Sequence, residues 1–580
     1  MVLTNHWQSQ LQLAQTSRAS SSPHHHARAA ATISRGGTAT ASGMTDLLFS
    51  GNGSTPLLSG VSFKSYGLQH ARVESADIDG RALASDEIND HRQDWSALDM
   101  GGQGLRNINV NLFNYQFLDK LYINHNRLMS LPGAIRNLCQ LSVLDLSGNM
   151  LTSLPPEIGL LRSLRMLLII DNNISNLPPE MGMLYKLEVL GIEGNPLPES
   201  IKSLMSREGT RGVIVELRDN GPPPPTPADR DWIELDEEAQ NHKDELFTVV
   251  SYNILCDRYT GIYGYCPKWA LTWEYRKARL QEELQRYNAD IFCLQEVDGE
   301  TYEEFLTPLL KDYGGYYWPK TRVKTMGDKE RKKVDGCAIF YKKSVFKLLE
   351  KQSIEYNQAA LKLLWENETI SKFPDIYNRI STRDNVAIVV FLEHIKTGNR
   401  LIVGNTHLHW DPLQMDVKLV QVGLLMSEIR DMGEKFAKTK PSELHKEAYS
   451  SASQIPMIVC GDFNSTVDSG VYELITHGEV KGDHNDMQGF KYGKFTAGGI
   501  QHPFTLKSAY SNIGELSFTN CTPTFTESID YVWYSANNLS VTGLLGEPDK
   551  EYMSKVIGFP NAHFTSDHIS LMAEMQFKKS

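Results

Sequence analysis

The chain has 580 residues, a net charge of −12 and an ordinary balance of 41% hydrophobic and 22% charged residues, as expected of a soluble protein of two to four domains. No apolar run approaches the roughly 20 residues that span a bilayer, and the start, MVLTNHWQSQLQLAQ, lacks the basic and apolar regions of a secretory leader. Seven cysteines without a CxxC pair point to reduced thiols in an intracellular protein. The acidic balance excludes a broad, non-specific grip on nucleic acid but leaves room for a local groove.

Residues 1–90 are rich in Ser, Ala, Gln, His, Gly and Thr without sustained periodicity, and they read as a disordered low-complexity tail. The triple histidine His24 to His26 reads as a solvated polar tract in preference to a metal site. Short pieces such as HWQSQLQLAQ could still serve as a partner-binding helix.

Residues 91–215 carry an internal repeat. Asn126, Asn149, Asn172 and Asn195 recur every 23 residues, each in an LxxLxLxxNxL frame, and Gln103 marks an atypical first unit. This is the leucine-rich repeat signature: the leucines fill a solenoid and the asparagine satisfies backbone groups at the turn out of each strand. The variable strand positions (Lys120, Tyr122, Asn124, Ser142, Asp145, Arg165, Leu168, Glu188 and Gly191) would line the concave face and dock a protein partner. The plainer alternative is a structural cap. GPPPPTPADR then reads as a semi-rigid polyproline spacer, or alternatively an SH3 or WW ligand, within a linker over 216–245.

Residues 246–580 place polar residues beside short apolar runs: TVVSYNIL (Asn253), IFCLQEVDG (Glu296), LIVGNTHLHW (His407), MIVCGDFNS (Asp462, Asn464), SIDYVW (Asp530) and SDHISLM (Asp567, His568). The runs are β-branched, apolar and bounded by breakers, so they read as buried strands whose ends hold hard ligands rigidly. Glu296, with Asn253 beside it, is the leading candidate for a Mg²⁺ ligand. Asp462 can take a proton from water while Asn464, two residues on in an extended segment, holds a phosphoryl oxygen. Asp530 can fix one nitrogen of His568 and favour its charged form, and His407 is a second phosphate contact. A single Asp at a strand end is more often a cap, and a single buried His a satisfied core residue; six motifs of one kind in one domain escape that reading. With no GxSxG, no P-loop and no evident nucleophile, direct attack by water is the simpler chemistry.

The ordered set SYNIL, LQEVDG, DNVA, NTHLHWDP, GDFNS, IDYVW and SDH resembles the exonuclease-endonuclease-phosphatase superfamily. YCPKWALTWEYRK and HLHWDPLQMDVKLVQ, together with the upstream repeats, narrow the resemblance to the carbon-catabolite-repressor deadenylases, catalytic subunits of the NOT complex. The resemblance implies an α/β chain: a repeat solenoid followed by a four-layer sandwich of two stacked mixed sheets flanked by helices. It implies divalent metal, with Mg²⁺ at two sites and Mn²⁺ as a substitute, held by Asn253, Glu296, Asp462 and Asp567. His568, Asn464, Asp530 and His407 complete the catalytic set. Pro412, Asn464 and Phe525 are implied at the adenine, with Asn253 also on the substrate side. It further implies 3′-to-5′ removal of poly(A) tails as 5′-AMP, a second deadenylase subunit on the repeats bridging to the NOT scaffold, no membrane, and a cytoplasmic and nuclear location. Stacking on Phe525 would hold any base, so adenine selection needs amide edge contacts or the stacked geometry of the tail. A basic loop (Lys320, Arg322, Lys324, Lys329, Arg331, Lys332, Lys333) reads either as a rail for the RNA backbone or as a solvated hairpin tip. Two alternatives remain: a superfamily cousin acting on abasic DNA, phosphoinositides or sphingomyelin, and an adaptor that has lost its activity.

Overall fold

The structure, a computed structural model, describes residues 4–34, 95–236, 238, 245–366, 375–440 and 449–578. The chain divides into two compact units, Met1–Pro223 and Pro224–Ser580. Among the described residues no helix is long and apolar enough to cross a membrane.

The first unit is a solenoid around five short parallel strands, β1 (Ala97–Asp99), β2 (Lys120–Tyr122), β3 (Val143–Asp145), β4 (Met166–Leu168) and β5 (Val189–Gly191). Alternation along a strand sends Leu121, Leu144, Leu167 and Leu190 inward, where each is fully buried. The repeat asparagines stitch neighbouring turns together. Asn149 Oδ1 accepts from Leu128 N at 3.1 Å, while its Nδ2 donates to Ile123 O at 3.0 Å and Leu146 O at 2.8 Å. Asn172 and Asn195 repeat the pattern one turn later each.

Two sequence expectations change in this unit. Residues 4–34 of the expected tail form α1 (Asn5–Ala19) and α2 (His25–Ser34), while residues 35–90 of that tail lie outside the described residues. The concave strand face assigned to a partner is covered by this N-terminal segment of the same chain. Leu13 and Ala14 pack on Met166, Leu168 and Ile170, and Gln10 bonds the Leu190 carbonyl at 2.7 Å and the Ile192 amide at 2.9 Å. Asn124 Nδ2 donates to Ser20 Oγ at 3.1 Å. The histidine tract is no solvated loop either: His26 stacks on Tyr122 with ring centroids 4.1 Å apart, and its Nε2 lies 3.7 Å from Asp145 Oδ2. The physical reason is that half of the face α1 buries is polar. Gln10 is buried through hydrogen bonds to strand backbone, and Ser17 is buried with its carbonyl 2.7 Å from His125 Nε2, which composition does not register.

α3 (Glu199–Asn220) follows the last repeat, so the helical part of the solenoid runs past the expected boundary at 215. It kinks at Gly209, where φ is +68°, a conformation that favours glycine.

The second unit stacks two mixed sheets. In chain order its strands are β6 (Trp232–Glu234), β7 (Leu246–Asn253), β8 (Ile291–Asp298), β9 (Tyr313–Pro319), β10 (Asp335–Lys342), β11 (Phe346–Glu355), β12 (Val386–His394), β13 (Arg400–His407) and β14 (Met457–Asp462). After the small pair β15 (Glu479–Val480) and β16 (Ile500–Gln501) come β17 (Leu506–Ser508), a second pair β18 (Asn520–Cys521) and β19 (Thr526–Glu527), then β20 (Asp530–Ser535), β21 (Leu539–Leu545) and β22 (Leu571–Phe577). The seven-stranded sheet runs β6-β21-β22-β7-β8-β10-β9, and the six-stranded sheet β11-β12-β13-β14-β20-β17. Because β6 pairs with β21, this unit begins before the expected boundary at 246: an edge strand lies inside the stretch read as linker. Arg230 reinforces the edge by donating to Gly546 O at 2.7 Å.

The apolar runs fill three interfaces, which makes the four layers. Phe247, Val249, Ile291, Cys293, Ile458 and Cys460 lie between the sheets. The alternate residues Val250, Phe292 and Leu294 face α4 (Trp273–Tyr287), whereas Met457 and Val459 face α5 (Met415–Ala437) and α6 (Gly470–His477). Strands buried on both faces are near-continuous in hydrophobicity, as these sequences are.

Candidate active site

The pairing register brings the polar strand ends to one edge of the sandwich. In the six-stranded sheet His407 of β13 is opposite Asp462 of β14, and Asp462 is opposite Asp530 of β20. In the seven-stranded sheet Asn253 of β7 is opposite Gln295, one residue before Glu296. The expectation that every motif ends a strand holds for Asn253, His407 and Asp462, while Glu296 lies two residues inside the end of β8. Asp530, Asp567 and His568 instead sit where β20 begins and just ahead of β22, because those strands run antiparallel to their neighbours.

Asn253 is at the centre. Its Nδ2 donates to Asp462 Oδ2 at 3.0 Å and Glu296 Oε1 at 3.3 Å, and lies 3.4 Å from His568 Nε2. His568 Nδ1 donates to Asp530 Oδ2 at 2.7 Å, and Thr519 Oγ1 donates to the same oxygen at 2.6 Å. His568 Nε2 lies 3.6 Å from Asp462 and 3.8 Å from Asp567, and His407 Nε2 lies 3.5 Å from Asp462. Asn464 departs from the extended arrangement. Its φ is +47°, its backbone N–H turns back to Asp462 Oδ1 at 3.0 Å, and its amide donates to Leu408 O at 3.1 Å.

Burial and crowding set the charges. Glu296, on a backbone with φ of +57°, is pushed up to about 7 by burial and by the Asp335 and Asp567 charges. Burial and the nearby Asp530 likewise raise Asp462. Burial would neutralise His568, yet Asp530, then Asp567 and Asp462, hold its imidazole charged, well above its ordinary range. His407 goes the other way, down to about 4, because it is buried and feels the Lys320 cation. One neutral and one charged imidazole therefore flank the same carboxylate.

Asp462, Asp530 and His568 hold ligand-type atoms within 4.8 Å of one another. A protonated imidazole already donating to Asp530 is no metal ligand, however. The carboxylates of Glu296, Asp462 and Asp567 remain, an oxygen set suited to a hard divalent cation, with the Asn253 amide nitrogen pointing among them and its oxygen taken by Leu255 N. The excess of carboxylates around the Asn253 N–H group fits such an ion.

Phe525, 39% exposed, tips the hairpin between β18 and β19. That hairpin hangs on the candidate ligand Asp567: Asn520 Nδ2 donates to Asp567 Oδ2 at 2.9 Å and Cys521 N to Asp567 O at 2.9 Å. Pro412 is exposed in the turn from β13 to α5. Sequence reasoning missed Asn520, which donates to Asp567, and Tyr263, whose hydroxyl feels the Asp567 and Glu296 charges, because neither adjoins an apolar run. The basic loop is withdrawn only in part: Lys324, Lys329, Arg331, Lys332 and Lys333 are exposed. Lys320 is buried against Asp335 at 2.7 Å, Arg322 pairs with Asp384 at 2.7 Å, Lys324 with Glu355 at 2.5 Å, and Lys332 with Glu303 at 3.4 Å. Burial alone would raise Asp335, but Lys320 and Arg322 outweigh it and hold that carboxyl well below the usual range.

This arrangement is matched by known proteins. The model of the Endonuclease/Exonuclease/phosphatase family matches residues 250–425 and 437–568, more than half of the chain, and a Leucine Rich Repeat matches residues 140–161. The chain belongs to the endonuclease/exonuclease/phosphatase family and is an enzyme. It is 48% identical over 607 residues to the CCR4-Not complex 3′-5′-exoribonuclease subunit Ccr4 of Mycosarcoma maydis, covering 99% of this chain and 90% of that one. The same-named subunits of Coccidioides immitis and Schizosaccharomyces pombe are 50% and 44% identical, covering 99% and 100% of this chain and 76% and 92% of theirs. Within the wider family, then, the chain belongs with the Ccr4 exoribonuclease subunits.

Proposed function

We propose that the chain is a Mg²⁺-dependent 3′-to-5′ exoribonuclease that shortens the poly(A) tails of mRNA and releases 5′-AMP. The observation that carries this reading is the Asn253–Glu296–Asp462–His568–Asp530 constellation, with the Phe525 hairpin tied to the same site through Asp567. Glu296, Asp462, Asp567 and Asn253 would hold the cation, as two Mg²⁺ ions with Mn²⁺ able to substitute. When bound, the cation would neutralise charge at the scissile phosphate and help to generate the attacking hydroxide.

The side chains supply the rest. Asp462, its proton affinity raised by burial, accepts a proton from the attacking water. The charged His568, oriented by Asp530, donates to the phosphoryl oxygens as negative charge builds. Neutral His407 is a second donor, and Asn464 contacts the substrate beside it. Phe525 and Pro412 flank the terminal adenine, with stacking on Phe525 contributing about 1–3 kcal/mol. The repeat unit docks a second deadenylase subunit that bridges to a scaffold, in the cytoplasm and the nucleus. With the concave face covered by α1, that partner would use another face of the solenoid.

One assay tests the reading. Purified full-length chain with Mg²⁺ is offered labelled poly(A), poly(U), an abasic duplex and inositol phosphates. The expected result is stepwise 3′ shortening of poly(A) with AMP as product. Preferred cleavage of the abasic duplex or the inositol phosphates would defeat the proposal, as would undiminished tail shortening by Glu296→Ala.

A further inference from the structure

The loop from β13 to α5, Leu408–Gln414, adjoins the site, and its most unusual features are unused by the mechanism above. Trp410 and Leu413 are 71% and 78% exposed, among the most solvent-facing large apolar side chains described. Their exposure is not slack. Leu408 O accepts from Asn464 at 3.1 Å, His409 N donates to Gln421 Oε1 at 3.0 Å, and Asp411 takes Leu413 N at 2.9 Å and Gln414 Nε2 at 2.8 Å. Gln488 donates to Leu413 O at 3.0 Å. Five hydrogen bonds therefore hold an indole out in solvent beside a residue of the catalytic set.

Two side-chain nitrogens behind this loop lack partners. His409 is 7% exposed, and its Nε2 is buried without a hydrogen bond. Arg383, whose Nη2 holds Gln414 Oε1 at 2.6 Å, leaves its Nε buried and unbonded. Buried donors without partners are rare and mark positions completed by something else. His409 is held neutral, down to about 4, by burial and by the Arg383 charge. The carboxylates nearby are already engaged: Asp411 by the loop, and Asp384 by Arg322 at 2.7 Å. What is missing is a compact anion with several acceptor oxygens, next to a flat apolar group that would cover Trp410. A nucleotide of a single strand supplies both.

We infer that Arg383, His409 and Trp410 form a second nucleotide subsite, which takes the phosphodiester one step upstream of the scissile one on Arg383 and His409 and stacks the adjoining base on Trp410. It rests on the proposed exonuclease reading and extends it: the enzyme would grip the strand behind the residue it removes. This grip is read in KM, because none of the three residues touches the reacting atoms.

Two short substrates separate the subsite from the catalytic centre. ApA contains only the scissile phosphate, whereas ApApA adds the upstream one and a further base. In the wild type, kcat/KM for ApApA over ApA should be large, and Trp410→Ala and Arg383→Gln should each lower that ratio by about tenfold, through KM on ApApA, as expected for one lost stacking or charge-assisted contact. An unchanged ratio in both variants would overturn the subsite. So would a parallel loss on both substrates, which would mean that these residues only support the fold; Trp410→Phe, which retains a ring, should recover most of the ratio lost in Trp410→Ala, and a Phe variant as low as Ala would count against stacking. A wild type inert on both substrates would sink the exonuclease reading and the subsite together, which no variant result does.

Discussion

The two units bury polar side chains to opposite ends. In the solenoid the buried asparagines of the 23-residue repeat are matched: Asn149 accepts one backbone N–H and donates to two carbonyls, and Asn172 and Asn195 do the same. In the catalytic unit the buried carboxylates are crowded together, so that Glu296 and Asp462 hold protons more tightly than they would in water. A satisfied buried polar group stabilises a fold, whereas a crowded one is a ligand set waiting for charge. Between the repeat asparagines and these carboxylates, the contrast separates a fastening from a ligand set.

That contrast can be broken by substitution. The largest effect should come from Glu296→Ala or Asp462→Ala, which should lower kcat by about 10³-fold or more while leaving the unfolding midpoint of the metal-free protein unchanged or higher, since a like charge is removed. A drop in midpoint with activity retained would reverse the assignment. Next, Asp530→Asn should cost on the order of 10²-fold in kcat. Because Asp530 is what raises His568, its loss should let the imidazole discharge at lower pH, so the alkaline limb of the pH–rate profile should move to lower pH. The converse experiment is in the solenoid: Asn149→Ala should cost about 2–3 kcal/mol in denaturant unfolding, by leaving Leu128 N and two carbonyls unpaired, with kcat untouched.

Acidity gives a finer test. Glu296 keeps its proton up to about 7 in the metal-free fold, whereas an unfolded glutamate loses it near 4.5. Its contribution to stability is thus complete below about pH 4.5 and lost as pH rises through about 7. Added Mg²⁺ should therefore raise the melting temperature more at pH 8 than at pH 6, and equal gains would contradict a crowded carboxylate site. The smallest effect belongs to Arg18→Ala: its pair with Asp171 is 2.7 Å long but half exposed, so it should change stability by less than about 1 kcal/mol.

Much of this was legible in the sequence. The asparagine spacing marked the repeats, and runs such as MIVCGD marked strands buried on both faces, so Asn253, Glu296, His407 and Asp462 could be placed at or near strand ends from pattern alone. What escaped lacks such a pattern. α1 buries Gln10 and Ser17 as well as Leu13, so its inward face does not read as apolar. Asn520 and Tyr263 reach Asp567 from a two-residue strand and a loop, and Asn464 turns into left-handed backbone where its spacing suggested an extended pair. In the basic loop, pattern alone did not show that Lys320 and Arg322 pair with Asp335 and Asp384 while the other five basic side chains stay exposed.

The asparagine stitching also quantises the length of the solenoid. Each side chain reaches back 21 residues to an amide and 26 to a carbonyl, and these offsets recur from turn to turn. A single inserted residue throws both reaches out of step at one joint, while a whole 23-residue cassette leaves every joint intact. Such a module lengthens or shortens by duplication or loss of complete turns, and the number of turns can drift without any change in how each is fastened.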